Sequence, residues 1–169
     1  MLKPKLEEAL NGQLNWEMFS SYLYLSMSAY LDSVNLKGMS QWMLAQSQEE
    51  MMHAMKFYNY ILERGGRVKL GAINEPTTTW ESALAVFDDT CEHEAKVTSL
   101  INGLMDLALA ESDHATNAFL QWFVTEQVEE EATVGEVRDQ LRLADGHPGA
   151  MFMMDRELGG RTSGAAAGV

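Results

Sequence analysis

Cysteine and proline are both scarce in this 169-residue chain. Cys91 is the sole cysteine, so the chain cannot form an internal disulfide, and its cysteine usage gives no sign of an oxidising compartment. The only prolines are Pro4, Pro76 and Pro148, which leaves long stretches free of the residue that breaks helices. These two shortages exclude a disulfide-stapled scaffold and favour an all-α fold.

Basic residues are also few. Lysine and arginine together number 12, against 25 for aspartate and glutamate, which gives a formal charge of −13. A chain of this charge repels the phosphate backbone of nucleic acids, so we expect no nucleic-acid partner. The same balance suits a protein that attracts cations, although acidic surfaces also serve simply to keep proteins soluble.

Long hydrophobic runs are absent. The first eight residues include acidic side chains where a signal peptide would carry an unbroken apolar run. The most apolar stretch, Met18 to Leu31, is too short to span a bilayer and is interrupted by four serines. We therefore expect a cytoplasmic protein with no membrane partner. Its length and its 46% hydrophobic content fit a single domain, residues 1–169, with one core.

Apolar residues recur at helical spacing along most of the chain. This periodicity, with helix-start and helix-stop residues at its breaks, predicts a bundle over about residues 5–144. The predicted helices run from about Lys5 to Leu31, Gly38 to Arg64, Trp80 to Ala110, and from an N-cap at Ser112-Asp113 to Leu143. A short fifth helix is predicted at about 149–158, before a flexible tail at 159–169. The apolar stripe of the first helix comprises Leu6, Leu10, Leu14, Leu25 and Leu31.

The connection between the second and third predicted helices is long. It covers residues 67–79, contains Pro76 and ends in three threonines, which we expect to cap a helix that begins at Trp80. Adjacent antiparallel helices need only a few connecting residues, so this length implies a crossover. The predicted architecture is an all-α four-helix bundle with a long crossover after the second helix and a short fifth helix.

The sequence Glu50-Met51-Met52-His53 is the sharpest candidate for chemistry. Residues i and i+3 of a helix lie on neighbouring positions of one face, so Glu50 and His53 can direct a carboxylate and an imidazole at one metal ion. Many such pairs are simply solvated surface residues, so the interpretation needs support from elsewhere in the chain.

That support comes from the first helix. Glu17 lies beside the apolar stripe, and Tyr24 follows two turns later on the same face. A buried carboxylate requires a raised pKa, a cationic partner or a metal ion, because burying its charge alone costs several kcal/mol. Basic residues are rare in the middle of the predicted helices, so a metal is the simplest partner.

Acidic residues also cluster on the last two long helices. Glu94 lies on the third helix, and Glu126, Glu129 and Glu130 repeat at spacings that bring like charges together on the fourth, where they destabilise a helix unless cations bind. The alternative is a solvated acidic face, but this run follows an apolar segment, residues 119–124, and so continues a buried face in part. His93 precedes Glu94, and we expect it to lie at the surface or at a subunit contact.

Four stretches of sequence are distinctive in their order and spacing. They are Tyr22-Leu23-Tyr24-Leu25-Ser26-Met27, Gln48-Glu49-Glu50-Met51-Met52-His53-Ala54-Met55, Glu63-Arg64-Gly65-Gly66-Arg67-Val68, and Phe119-Leu120-Gln121-Trp122-Phe123 followed by Glu126-Gln127-Val128-Glu129-Glu130-Glu131. Through these blocks the chain resembles the non-haem ferritins of bacteria and archaea over nearly its whole length, from Glu8 to about Leu158. The resemblance implies a ferritin-like four-helix bundle, iron storage, and Fe(II) oxidation by O2 or peroxide.

The resemblance also implies a set of site residues. One iron is held by Glu17, Glu50 and His53, and Glu50 bridges to a second iron held by Glu94 and Glu130, with Gln127 close by. A possible third iron site is implied at Glu49, Glu126, Glu129 and Glu130. Tyr24 corresponds to a tyrosine beside the diiron centre, which supplies an electron or hydrogen-bonds a ligand. The implied assembly is a hollow shell of twenty-four subunits.

Four alternatives remain at the level of sequence. Bacterioferritins bind haem through a methionine that corresponds to Met51, but they carry a second Glu-x-x-His where this chain has Gln127-Val128-Glu129-Glu130, so we expect no haem. Diiron peroxidases of the rubrerythrin type usually need two such units as well. DNA-protecting mini-ferritins are disfavoured by the acidic charge, and a non-catalytic helical shell subunit would not need the inward-facing acids.

Overall fold

The computed structural model describes residues 2–160, which form five helices and no strand. Their bounds are α1 Pro4–Ser33, α2 Lys37–Glu63, α3 Ala83–Ala110, α4 His114–Ala144 and α5 Pro148–Leu158. The all-α prediction is confirmed, and each long helix lies within a few residues of its predicted bounds. None of the helices in this part of the chain is long and apolar enough to cross a membrane.

Two helical hairpins make up the bundle. In one, α1 packs along α2, and in the other α3 packs along α4, while α1 and α3 join the two hairpins. The crossover from α2 to α3 runs back along α1, whose side chains hold its backbone: Asn11 Nδ2 donates to the carbonyl of Arg67 at 3.0 Å and Ser26 Oγ to that of Thr77 at 2.6 Å. The predicted long crossover is therefore an ordered part of the bundle surface.

The start of α3 differs from the prediction. The helix begins at Ala83 instead of Trp80, because Ser82 Oγ accepts a hydrogen bond from the amide of Ala85 at 3.1 Å and so satisfies a free N–H of the first turn. Trp80 lies before the helix, where its Nε1 donates to Asp89 at 2.9 Å. The predicted cap of α4 is confirmed, since the Asp113 side chain accepts from the amide of Thr116.

Two apolar clusters fill the bundle, one toward each end. One contains Leu6, Phe57 and Phe123, and the other contains Met27, Trp42 and Phe87. Leu25, although part of the apolar stripe of α1, is 46% exposed, whereas Leu6, Leu10, Leu14 and Leu31 are fully buried. Polar residues take the buried positions in the middle of α1, and that polar middle is where the candidate site lies.

Helix α5 docks against the start of α2. The Asp155 carboxylate accepts a hydrogen bond from the amide of Met39 at 2.9 Å, which places a negative charge at the N-terminal end of α2. The backbones approach so closely that a Cβ on Gly38 would lie 1.6 Å from the Asp155 carbonyl oxygen. Of the predicted flexible tail, Gly159 and Gly160 form a turn that ends α5, and residues 161–169 lie outside the described residues.

We expect Gly38→Ala to displace α5, because only a residue without a Cβ fits at this contact. Overpacking of this kind costs about 1–3 kcal/mol, and the cost should appear as faster amide hydrogen exchange confined mainly to α5 and the first turn of α2. Gly103→Ala in the exposed part of α3 is the matched control, since nothing lies within 4 Å of its Cβ position. That change should stabilise the chain by about 0.5–1 kcal/mol. Unchanged exchange in α5 of Gly38→Ala would contradict this account of the docking.

Candidate metal centre

Two helices of one hairpin bring a carboxylate pair and an imidazole together. Glu17 from α1, Glu50 and His53 from α2 each offer one ligand atom, and the three atoms lie within 4.8 Å of one another. Nδ1 of His53 lies 3.4 Å from Oε2 of Glu50, as the i, i+3 spacing on α2 predicts. The His53 ring packs edge-on against the rings of Trp122 and Phe123, which restrict its orientation. The group has the composition of a hard metal site.

The other hairpin supplies two more buried carboxylates. Glu94 from α3 is 0% exposed; it accepts a hydrogen bond from the Tyr24 hydroxyl and a second, at 3.0 Å, from Nε2 of Gln127. Glu130 from α4 is 6% exposed and accepts from Nε2 of Gln46 at 2.9 Å. These two acids lie outside the closest group of three, but both raise the pKa of Glu50 by repulsion. The structure therefore gathers five acidic or imidazole groups from four helices in one buried region.

Burial makes the charged forms of these acids unfavourable. Loss of solvation and then repulsion from Glu94 and Glu130 hold the pKa of Glu50 well above its usual range. Burial and then repulsion from Glu50 do the same to the pKa of Glu17. Burial also raises the pKa of Glu94, against the hydrogen bonds from Tyr24 and Gln127. A cation at the centre would lower the pKa values of these three acids, because it favours the ionised carboxylates.

Glu130 and Tyr24 also have raised pKa values. Burial, followed by repulsion from Glu94, raises the pKa of Glu130 to about 7. Burial and the neighbouring Glu94 raise the pKa of the Tyr24 phenol well above its usual range, so that phenol keeps its proton and acts as a hydrogen-bond donor. The site at neutral pH therefore has a protonated tyrosine fixed against one candidate ligand.

Two carboxylate oxygens of the site lack a hydrogen-bond partner among the described residues. They are Oε2 of Glu17 and Oε2 of Glu50, both fully buried atoms. No lysine or arginine in the described part of the chain forms an ion pair with Glu17, Glu50, Glu94 or Glu130. An unpaired buried acceptor costs about 1–3 kcal/mol and more if charged, so the protein holds these oxygens ready for a proton or a cation.

The predicted third-site residues are less closely grouped. Glu49 and Glu130 are buried, Glu126 is half-buried and Glu129 is exposed. Within residues 2–160 the only set of three metal-ligand atoms that converges within 4.8 Å is that of Glu17, Glu50 and His53. Glu126 and Glu129 thus lie on more solvent-accessible parts of α4 than Glu130.

His93 is buried, although we expected it at the surface or at a subunit contact. It is 8% exposed, inside the bundle, and its Nε2 lies 2.8 Å from the Ser20 hydroxyl. The ring stacks on Trp16 at 5.8 Å between centroids and meets Tyr24 edge-on at 5.6 Å. The prediction of a surface position was wrong because this partly polar, partly aromatic pocket comes from α1, 73 residues away in sequence. Burial lowers the pKa of His93 to about 4, so the ring is neutral at physiological pH.

Sequence reasoning missed two buried glutamines. Gln13 donates from Nε2 to Oε1 of Glu17 at 2.9 Å, and Gln46 does the same for Glu130. Both are less than 5% exposed. The available signal was spacing, because each precedes a candidate ligand, Glu17 or Glu50, by one helical turn on the same face.

The sequence profile of the ferritin-like domain matches residues 7–144. The chain belongs to the ferritin family. A bacterial non-heme ferritin of Bacteroides fragilis is 46% identical over 161 residues, which cover 95% of this ferritin and 100% of that protein. A bacterial non-heme ferritin of Staphylococcus aureus is 37% identical over 162 residues, covering 96% of this ferritin and 98% of that protein.

Solved structures agree with the family assignment. An open-pore ferritin of the hyperthermophilic archaeon Archaeoglobus fulgidus superposes on this ferritin with a TM-score of 0.95 at 50% identity, covering 96% of this chain and 100% of that one. An engineered closed form of the same archaeal ferritin gives the same TM-score and identity and covers 99% of that chain. The ferritin-like four-helix bundle with a short C-terminal helix is therefore confirmed.

Proposed function

We propose that this ferritin oxidises Fe(II) with O2 or peroxide at a dinuclear carboxylate site and stores the ferric product inside an oligomeric shell. Iron storage follows from the family, and the ferroxidase step is our extension of it to the residues of this chain. One observation carries the proposal: beside His53, Oε2 of Glu17 and Oε2 of Glu50 are buried with no hydrogen-bond partner among residues 2–160, and no lysine or arginine of that range pairs with them. Hard carboxylate oxygens with one imidazole suit iron, and they bind Fe(III) more tightly than Fe(II).

The proposed ligands follow the geometry. Glu17, Glu50 and His53 hold the first iron, and Glu50 also reaches a second iron held by Glu94 and Glu130, with Gln127 beside it. Repulsion from Glu94 and Glu130 on Glu50 supports a shared position for Glu50 between the two halves. Glu49, Glu126, Glu129 and Glu130 form a third, more exposed site, through which Fe(III) passes toward the store.

The carboxylates compensate the charge of the irons, and the irons supply the electrons for the oxidant. Each Fe(II) that becomes Fe(III) gives up one electron, so a pair of irons can reduce O2 to peroxide with two protons. The carboxylates favour the product state because their negative charge stabilises the higher oxidation state of the metal. Their protons leave when iron binds, since a ligand must be ionised to coordinate.

Tyr24 is the proposed catalytic side chain. Its hydroxyl donates to Oε1 of Glu94, which is itself a proposed iron ligand. If Tyr24 gives an electron to the oxidant, its phenolic proton can pass along this hydrogen bond to Glu94, so no charge is left on the buried ring. In the resting site the same bond orients Glu94.

We propose an iron site without haem and a shell of twenty-four copies of this chain, in the cytoplasm. Met51 is 42% exposed on α2, away from the buried carboxylates, and packing at a subunit contact is the role we expect for it. The similar archaeal proteins are an open-pore ferritin and an engineered closed form of it, which supports self-assembly as a property to test in this chain.

Anaerobic Fe(II) titration of the purified protein, followed by exposure to O2, tests the function. We expect saturable binding of at least two Fe(II) per subunit, fast oxidation of the bound iron on adding O2, and retention of iron in a particle far larger than one chain on size-exclusion chromatography. A protein that binds no Fe(II) under these conditions, or that oxidises it no faster than buffer, would sink the proposal.

A further inference from the structure

Gln46 is a wholly buried polar residue in the middle of the bundle. It is 0% exposed and lies on α2 one turn before Glu50, so it shares a helix face with Glu49, Glu50 and His53. A neutral amide at this depth does nothing for the apolar core and has to be desolvated on folding. Its position requires a polar role.

Part of that role is a hydrogen bond across the site. Nε2 of Gln46 donates to Oε2 of Glu130 at 2.9 Å, which joins α2 to α4 over 84 residues of sequence. The opposite orientation of the amide would set the Gln46 carbonyl oxygen against an acceptor oxygen of Glu130. When Glu130 is ionised, as it must be to bind a cation, its carboxylate therefore fixes which way the amide points, and the amide in turn fixes the carboxylate.

The other end of the Gln46 amide has no partner. Oε1 of Gln46 is fully buried and accepts no hydrogen bond from the described residues, as is also true of Oε2 of Glu17 and of Glu50. An unsatisfied buried carbonyl costs about 1–3 kcal/mol. A water molecule carried in by a cation would satisfy it, because metal-bound water is a strong hydrogen-bond donor.

The same arrangement recurs around the site. Gln13 donates to Glu17 at 2.9 Å, Gln127 donates to Glu94 at 3.0 Å, and Gln46 donates to Glu130 at 2.9 Å. The carboxylates of Glu17, Glu94 and Glu130 are thus each held by a neutral amide. An amide orients a carboxylate without cancelling its charge, whereas a lysine or arginine would compete with the cation for it.

We propose that Gln46 is a positioning residue of the iron site, which holds the carboxylate of Glu130 for the second cation and leaves the first cation unaffected. The inference rests on the proposed function, because the second cation is the one assigned to Glu94 and Glu130. Hydrogen-bond partners of metal ligands are typically worth 10–100-fold in metal affinity. Gln46 acts on the Glu130 half of the site and Gln13 on the Glu17 half.

Calorimetric titration of the metal-free protein with Zn(II), which is not oxidised, measures this without any turnover. In Gln46→Leu we expect the cation at Glu94 and Glu130 to bind about 10-fold more weakly, with the cation at Glu17, Glu50 and His53 changed by less than about twofold. Zinc-soaked crystals of each variant assign the loss to a position. Gln46→Asn, which keeps the amide but shortens its reach by one methylene, should show the same selective loss, and it provides a second variant if leucine perturbs the fold.

Two comparisons make the result decisive. Gln13→Leu should weaken the first cation instead of the second, and Gln140→Leu, which removes an exposed amide hydrogen-bonded only to Glu136, should weaken neither. Equal weakening of both cations in Gln46→Leu, or no weakening at all in the two Gln46 variants, would overturn the positioning role. If the unaltered protein binds only one zinc per subunit, the dinuclear proposal itself fails, and that outcome is distinct because it precedes any Gln46 variant.

Discussion

Glu50→Ala should abolish fast Fe(II) oxidation. Glu50 lies between the two halves of the site: it stands beside His53 and Glu17, and its pKa responds to Glu94 and Glu130. Removing it takes a ligand from both proposed irons at once. Because even the partners of metal ligands are worth 10–100-fold, loss of a shared ligand should slow oxidation by about 100-fold or more. Stopped-flow absorbance after mixing Fe(II)-loaded protein with O2 measures the rate.

Stability separates a damaged site from a damaged fold. Glu50 is a buried acid whose Oε2 accepts no hydrogen bond from the part of the chain that the structure describes, so the metal-free Glu50→Ala protein should unfold no more easily than the unaltered one, despite the small cavity. Glu63→Ala, at the exposed end of the same helix, is the matched control and should leave the oxidation rate unchanged. Oxidation at the normal rate in Glu50→Ala would remove Glu50 from the mechanism and the dinuclear assignment with it.

Much of the fold was predictable because helix formation is a local property. Apolar periodicity predicted the four long helices, and their breaks follow residues such as Asp113, whose side chain caps α4 as predicted. The start of α3 was misplaced because several neighbouring residues could cap the helix, and in the structure the cap is Ser82. Leu25 shows a limit of such patterns, because apolar spacing alone does not decide which member of a stripe faces the core, and this one is exposed.

The candidate site was predictable in its acidic and imidazole groups and in Tyr24 and Gln127, which the family resemblance implied, but not in the residues that surround them. Glu17, Glu50 and His53 could be found from spacing, scarce counter-charges and family resemblance, and the structure brings them within reach of one ion. The residues around them depend on partners that local sequence does not contain. Gln46 donates to Glu130 on a helix 84 residues away, and His93 lies against Ser20 at 73 residues, so these partners could not be derived from the local sequence, although the spacing of Gln46 before Glu50 indicated its face.

The metal-free protein should lose stability as pH rises through the pKa of Glu130. Burial raises this pKa from 4.5 to about 7, so the folded state binds a proton that the unfolded state has already lost. The stabilising contribution is complete below pH 4.5 and is lost as pH passes about 7. This shift in pKa corresponds to about 3 kcal/mol of the free energy of unfolding. The raised pKa values of Glu17, Glu50 and Glu94 act in the same direction.

The buried imidazole of His93 opposes this loss of stability, so the test compares the unaltered protein with a variant that keeps His93. Burial lowers the pKa of His93 from 6.5 to about 4, and its contribution to stability is therefore gained, not lost, as pH rises between those values. Urea unfolding of the metal-free protein and of Glu130→Gln, compared from pH 4.5 to 8, cancels His93 because it is common to both. We expect the unaltered protein to lose about 3 kcal/mol more than Glu130→Gln over this range.

Saturating Zn(II) should remove most of that pH dependence above neutrality, because a bound cation keeps Glu130 ionised and supplies the charge that the proton supplied. The same carboxylates that make the metal-free bundle weaker at high pH are then the ones that tie α2 and α4 together through the metal. Parallel pH profiles for the unaltered protein and Glu130→Gln, with and without zinc, would mean that Glu130 titrates as an ordinary surface acid. Its burial would then have no part in cation binding, and the proposed dinuclear site would lose its carboxylate ligand from α4.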